Sequence, residues 1–540
     1  MNRMDRAWTC LVVVMLFSSC GIFVQQAGMK NFKPDERISA RGLNDFQYDF
    51  VYLTALVEEG FPRLDSVFPK PLREMEKSRI LAALDSTRSK ADFVVLASSY
   101  LSRLKNQHSS IYLRYDLKST YPYVVFISSG EWYIYTISTA YDSSAIGKRI
   151  IGINGLTPSE VEDRLIAFTF GENRINQQYA LRSNQLYSNP HYLRQAGVIS
   201  WATDTLSVSL EDGTELNLRP VLIKDEVPYY RLAEKSEPVT DYRKKTYSYS
   251  VYEDLNFGYL QFNACHDSID ILEGIGSYVK TWMQPMARAY VIRQFNKQKP
   301  SRRVAGYYNK EYPVFRDMLW EMVDSLNASG IDHLIIDLRH NPGGNLTLGI
   351  QLMYFLTEND SLDDFQDFAF TSEIYKAYFV DEYRDLQRTY SDGLPDRALL
   401  QTNPGANLFT DVTDVNSKYF VPSDRPVFKG KVYVMSNYRT GSAAAMLTTL
   451  LQDNRMATVV GTSVGNNPTG ATIYTPMKLP RTNARISLST SYKVRPRKEL
   501  GEVQIPDIWL EYTINDLLTG RDPFLDVVMR EIEKNGRNGK

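Results

Sequence analysis

Between residues 43 and 105 the apolar positions recur at helical spacing: Phe50, Leu53, Leu56 and Val57, then Ile80, Leu81 and Leu84, then Phe93, Leu96, Tyr100, Leu101 and Leu104. Side chains three and four apart share one helix face, so this spacing predicts an N-terminal helical domain over 41–118. Past residue 111 the period changes. Tyr123 to Ser128, Trp132 to Ser138, Ile150 to Ile153 and Leu206 to Leu210 are short alternating or β-branched runs. The turn signals Asn154-Gly155 and Asp212-Gly213 punctuate them, which predicts a small β-rich module over 119–224. Residues 225–248 are rich in charge and tyrosine and read as a linker.

From 249 to 535 the two periods alternate. Phe257 to Phe262, His333 to Leu338, Lys431 to Ser436, Ala457 to Gly461 and Arg485 to Tyr492 read as strands. Val314 to Leu326, Leu346 to Leu356 and Ser442 to Gln452 read as helices. This alternation predicts βαβ units and an α/β fold. The polar, basic stretch over about 295–312 is predicted to be an inserted surface loop.

Composition adds limits. The 540 residues carry 62 basic and 63 acidic side chains, with 43% hydrophobic and 23% charged positions. Those fractions belong to a globular protein, and the balance of charge argues against a nucleic-acid binder. One short apolar run, Leu11 to Phe17, follows Arg3 and Arg6. It is too short to span a bilayer and has the layout of a secretory signal over 1–19. Its ending, Ser18-Ser19-Cys20-Gly21, resembles a bacterial lipobox. That resemblance implies cleavage before Cys20, lipidation of its thiol, a tether over 20–40 and a membrane-anchored place in the cell envelope. The side faced and the oligomeric state stay open. Cys10 would then be lost and Cys20 modified, leaving Cys265 with no disulfide partner and no zinc-type spacing. No metal or organic cofactor is implied.

Two glycine-bearing turns stand at the ends of predicted core strands. In Asp337-Leu338-Arg339-His340-Asn341-Pro342-Gly343-Gly344-Asn345, the paired glycines let backbone approach a ligand closely. In Tyr438-Arg439-Thr440-Gly441-Ser442-Ala443-Ala444-Ala445, a serine opens a helix of small residues beside free N-terminal amides. Taken alone, that serine reads first as a helix N-cap. Together with Leu451-Gln452-Asp453, Val459-Val460-Gly461 and Ile505-Pro506-Asp507-Ile508, in this order, the two turns resemble the C-terminal-processing (tail-specific) serine peptidase family, which includes the tricorn core. The resemblance covers about 249–535, and more weakly 41–155. It implies a crotonase/ClpP-like core of ββα units, Ser442 as nucleophile, and an oxyanion hole from the Ala443 amide with that of Gly343 or Gly344.

A serine hydroxyl needs an adjacent base. The tail-specific branch takes a lysine after the Val-Val-Gly strand. Here Asn466 stands in that place, and a carboxamide cannot accept the proton; only another lysine such as Lys493 could substitute. The tricorn-like branch uses histidine and glutamate. Its histidine resembles His108 in Leu104-Lys105-Asn106-Gln107-His108-Ser109-Ser110, with His340 as a rival. Its carboxylate corresponds by spacing to Glu502, with Glu499 as the alternative. The run Gly147 to Gly155 resembles a PDZ hairpin, which would hold a peptide C-terminus, although an Asn-Gly turn between apolar strands is also generic. The expected function is thus a serine endopeptidase of the cell envelope acting on a peptide or protein substrate through Ser-His-Glu. The alternative is a catalytically inactive protein on the same fold that binds a peptide or hydrophobic ligand.

Overall fold

Asn44 opens the first helix, Asp45–Gly60, with a reciprocal cap: its side chain accepts the Gln47 amide, and Gln47 reaches back to its backbone. This computed structural model describes residues 42–538 except 88, 113–118, 224–226, 231–245, 271, 273–274, 276–280, 296–313, 391–392, 403 and 406. The predicted signal, Cys20 and the tether lie outside the described residues, as do nearly all of the predicted inserted loop and most of the linker. No helix of the described residues is long and apolar enough to cross a membrane.

Helices Asp45–Gly60, Lys70–Ser86 and Lys90–Leu101 turn Phe50, Leu53, Val57, Ile80, Leu84, Phe93 and Leu96 inward, as their spacing predicts. Their apolar cluster is completed by Ile374, Met477, Leu479, Ile486 and Leu488 from the other end of the chain. The strand Ser110–Tyr112 then pairs antiparallel with the strand Arg485–Val494, Ser110 opposite Ser487. The helical segment is therefore fastened to the core by both apolar packing and a sheet.

The middle module is more than β-rich. Its hairpin Tyr123–Ser128/Glu131–Ile137 and its three strands Ile150–Ile153, Leu206–Leu210 and Glu215–Leu218 share one cluster with helices Pro158–Leu165, Arg174–Ser183 and Pro190–Gln195. The first of these carries a legible start: Thr157 and Glu160 form a capping box and Pro158 sits at the first helical position.

The core sheet has six strands in the order Ile508–Trp509, Thr458–Gly461, Lys431–Ser436, His333–Asp337, Phe257–Phe262 and Tyr247–Tyr252. All neighbours are parallel except the last pair. Alternate side chains face opposite ways. Leu334 and Ile336 pack towards the helices Phe315–Ala328, Leu346–Tyr354 and Ser442–Asp453, while Ile335 packs towards Phe524 and Val528 of the helix Pro523–Asn538. This is the expected α/β core. A second, antiparallel sheet contains the long hairpin Gly470–Lys478/Arg485–Val494.

Several motif residues prove structural. Asp453 forms a buried ion pair with Arg495 at 2.6 Å, Gln452 donates to the Ile505 carbonyl at 2.8 Å, and Asp507 accepts the Val459 amide at 2.7 Å. The last two bonds tie the Leu-Gln-Asp and Pro-Asp motifs together at the start of the strands Thr458–Gly461 and Ile508–Trp509.

Candidate active site

The two glycine turns meet at the carboxyl ends of the parallel strands Lys431–Ser436 and His333–Asp337. Thr440 links them: its hydroxyl accepts the Asn437 amide at 3.0 Å and donates to the Leu338 carbonyl at 2.9 Å. The Gly441 amide donates to the Asn341 carbonyl at 2.9 Å. Gly441 takes the helix N-cap position with no side-chain cap, so Ser442 is not a capping serine. Ser442 instead adopts φ +47°, a left-handed conformation that a side-chain-bearing residue keeps only when its surroundings impose it.

Both glycines are required by space as well as by φ, +108° at Gly343 and +135° at Gly344. A Cβ on Gly343 would lie 2.6 Å from the Ser442 Cβ, and one on Gly344 would lie 2.3 Å from the Cys265 carbonyl oxygen. The Gly343 amide donates to the Asn341 side chain at 2.9 Å. The amides of Gly344 and Ala443 have no hydrogen-bond partner among the described residues. Of the two glycine amides expected for an oxyanion, Gly344 is thus the one left to donate. His266, which no sequence motif singles out, places its ring against this position: its Cε1 would lie 2.8 Å from a Cβ on Gly344. Burial pushes the neighbouring Cys265 thiol up to about 12, so it is no rival nucleophile.

His108 is delivered by the 105–109 loop. Asn106 donates to the Ala471 carbonyl at 2.7 Å and accepts the Ser109 and Ser489 hydroxyls at 2.9 and 2.8 Å. The His108 ring stacks on Tyr474, with centroids 5.9 Å apart, and its buried Nδ1 has no hydrogen-bond partner among the described residues. Burial, reinforced by the charge of Lys493, lowers its pKa to about 4. It is therefore a neutral imidazole at pH 7. No hydrogen bond joins His108 to Ser442 here; such bonds commonly tighten only with substrate in place. His340 instead lies near the Asp337 carboxylate.

The carboxylates expected from spacing do not reach this site. Glu502 is exposed, and Glu499 is exposed and pairs with Arg497 at 2.9 Å. Neither makes a hydrogen bond to His108 or Ser442 among the described residues. The carboxylate that does stand here is Glu172 of the middle module, for which the sequence offers no motif. It accepts the Asn467 amide at 2.5 Å and faces Asn466 Nδ2 at 3.5 Å and Asn106 Nδ2 at 3.4 Å. As a residue Glu172 is half-buried, yet its carboxyl is held away from water, which raises its pKa. Burial lowers Lys493, while Asp367 and Glu172 oppose that shift by attraction. Lys493, the alternative base, makes no hydrogen bond to Ser442 among the described residues.

Residues 292–508 match the model of peptidase family S41. Among solved structures, mature CPAF superposes with a TM-score of 0.55 at 17% identity, covering 91% of this chain and 98% of that one. Mature CPAF complexed with lactacystin gives 0.56 at 17% identity, covering 92% and 99%. At that identity the likeness is one of fold. No curated protein sequence matches this chain.

Proposed function

We propose that this chain, whose residues 292–508 match the serine-type peptidase family S41, is an endopeptidase in which Ser442 attacks a peptide carbonyl with His108 as its base. The observation that carries this is the meeting of Ser442, in its left-handed conformation, with the unpartnered Gly344 and Ala443 amides. His108 takes the Ser442 hydroxyl proton as the Oγ–C bond forms. The two amides hold the oxyanion, and such preorganised donors supply much of the rate gain in acyl transfer. Collapse breaks the C–N bond, and the imidazolium gives its proton to the leaving amine. Water, deprotonated by the same ring, then releases the acyl group. The lipobox-like Ser18-Ser19-Cys20-Gly21 supports a lipid-anchored place in the cell envelope, with a peptide or protein as substrate.

A fluorophosphonate probe tests the reading. Mass spectrometry should find the adduct on the Ser442 peptide, and His108→Ala should slow labelling by ~10²–10⁴-fold. A wild-type protein that stays unlabelled would mean a binding protein on a peptidase fold. The pH profile tests the base separately. With His108 at about 4 rather than 6.5, its neutral form is already present at pH 5. The labelling rate should therefore fall off only as pH approaches 4; a half-maximum near 6.5 would show instead a base at the ordinary imidazole value, one that burial does not lower.

A further inference from the structure

Ser442 is held in a costly backbone conformation, and one contact holds its amide. The Ser442 N–H donates to Asn466 Oδ1 at 2.6 Å. A carboxamide has one accepting and one donating end, so the orientation of Asn466 must be fixed for that bond to exist. Its donating end, Nδ2, faces Glu172 Oε1 at 3.5 Å. The other Glu172 oxygen accepts the Asn467 amide at 2.5 Å. The Asn466 and Asn106 NH₂ groups and the Asn467 N–H that face this carboxylate all donate, so both of its oxygens accept, and this turns the Asn466 oxygen towards Ser442. Two further side chains of the same segment fasten the same loop: Asn173 donates to Asn467 Oδ1 at 2.7 Å, and Asn176 donates to the Val464 carbonyl at 3.0 Å. Gly171 admits this close approach within the segment, since a Cβ there would lie 2.4 Å from the Gln177 nitrogen.

We propose that Glu172 of the middle module is a positioning residue for Ser442, acting through Asn466 to hold the nucleophile's backbone in its left-handed conformation. This rests on Ser442 being the nucleophile. It assigns a role to the asparagine that stands where the tail-specific branch has its lysine. It also makes the middle module a structural part of the catalytic site. Glu172 touches no reacting atom; its contribution is the direction in which Asn466 points.

An exchange of the two functional groups tests this. Glu172→Gln leaves a donor facing a donor at either Asn466 or Asn467. Asn466→Asp leaves two acceptors facing each other. The Glu172→Gln/Asn466→Asp double variant restores the pattern along this chain of bonds, with an acceptor on the Ser442 amide, a donor between the two side chains and an acceptor on Asn467, and leaves reversed only the 3.4 Å approach of Asn106 Nδ2. Fluorophosphonate inactivation separates the maximal rate from the half-saturating concentration. Each single variant should lose ~10–100-fold in the maximal rate, the scale of a nucleophile misplaced by about 1 Å, with half-saturation within about twofold. The double variant should recover to within about fivefold of wild type, far from additivity. A double variant no faster than the slower single variant, or single variants at the wild-type rate, would overturn the proposal. The double variant decides the matter even where a single variant fails to fold. Absence of labelling in the wild type would instead overturn the assignment of Ser442.

Discussion

Replacing Ser442 by alanine is expected to lower peptide hydrolysis about a millionfold, the scale seen when the nucleophile of a serine peptidase is removed. The size follows from what remains. Gly344 and Ala443 still offer two amides, and binding surfaces are untouched, so a residual rate enhancement of ~10³ over water survives. The substitution deletes one oxygen and is sterically mild: the Cβ that already sits against Gly343 is retained. The Asn466 bond to the residue 442 amide is backbone and also persists. Thermal unfolding should thus be nearly unchanged while cleavage of unfolded casein, followed by gel, disappears. Undiminished cleavage by the folded Ser442→Ala protein would show that another group performs the reaction.

The largest effect on stability is expected at Arg339. Its guanidinium is 2% exposed and serves two carboxylates. It donates to Asp337 at 2.9 and 2.8 Å, to Asp522 at 2.6 and 2.8 Å and to the Tyr512 hydroxyl at 2.7 Å, and it lies over the Phe524 ring. This joins the end of the strand His333–Asp337 to the start of the final helix. Burial alone would raise the Asp337 carboxyl, but Arg339 and the Tyr259 hydroxyl hold it down at about 2. Arg339→Met keeps bulk and removes the charge, leaving buried carboxylates without their cation. Breaking such a pair costs about 3–5 kcal/mol, which a lowered urea midpoint would report. The pH dependence has a definite sign. Asp337 in wild type contributes stability present above its unfolded value of 3.8 and lost as pH falls through about 2. In the variant the unpaired carboxylate penalises the folded state when ionised, so the deficit should be smaller at pH 5 than at pH 8. A loss below about 1 kcal/mol at pH 8 would mean that water replaces the guanidinium.

Ser442 and Arg339 both lie within motifs that the sequence displays, and the contrast with Glu172 shows why. They lie in turns where backbone geometry and chemistry demand particular residues at fixed spacing, so a short window of sequence carries the whole constraint. The core strands are legible too, because burial on both faces writes a continuous apolar run at His333–Asp337 and Lys431–Ser436. Glu172 has no such window. Its role is created by residues 466 and 467, nearly 300 positions away, and by burial that its own neighbours do not announce. Spacing favours Glu502, but spacing along the chain says nothing about which side of a strand end a loop leaves from. The hairpin strand Gly470–Lys478 escapes the pattern because Ile473 and Tyr474 are both exposed, which breaks the alternation that would mark a strand. Ile473 itself has φ +46° and is skipped in the pairing between Thr472 and Tyr474. The helices of the middle module are hidden for a different reason: the Thr157 capping box is there to read, but the flanking β-branched runs dominate the pattern.

The pairing of Ser110–Tyr112 with the strand Arg485–Val494 also sets an order of events in time. Ser110 and Ser487 are 377 positions apart. A chain that emerges N-terminus first, at about 5–20 residues per second, exposes the His108 segment roughly 20–75 s before its partner strand exists. During that interval the histidine has no sheet to join and Asn106 has no Ser489 to bind. Closing so long a loop is entropically late as well as topologically late. The histidine is therefore seated only when almost the whole chain is present, and with His108 as the proposed base an unfinished chain would be unable to cut its neighbours.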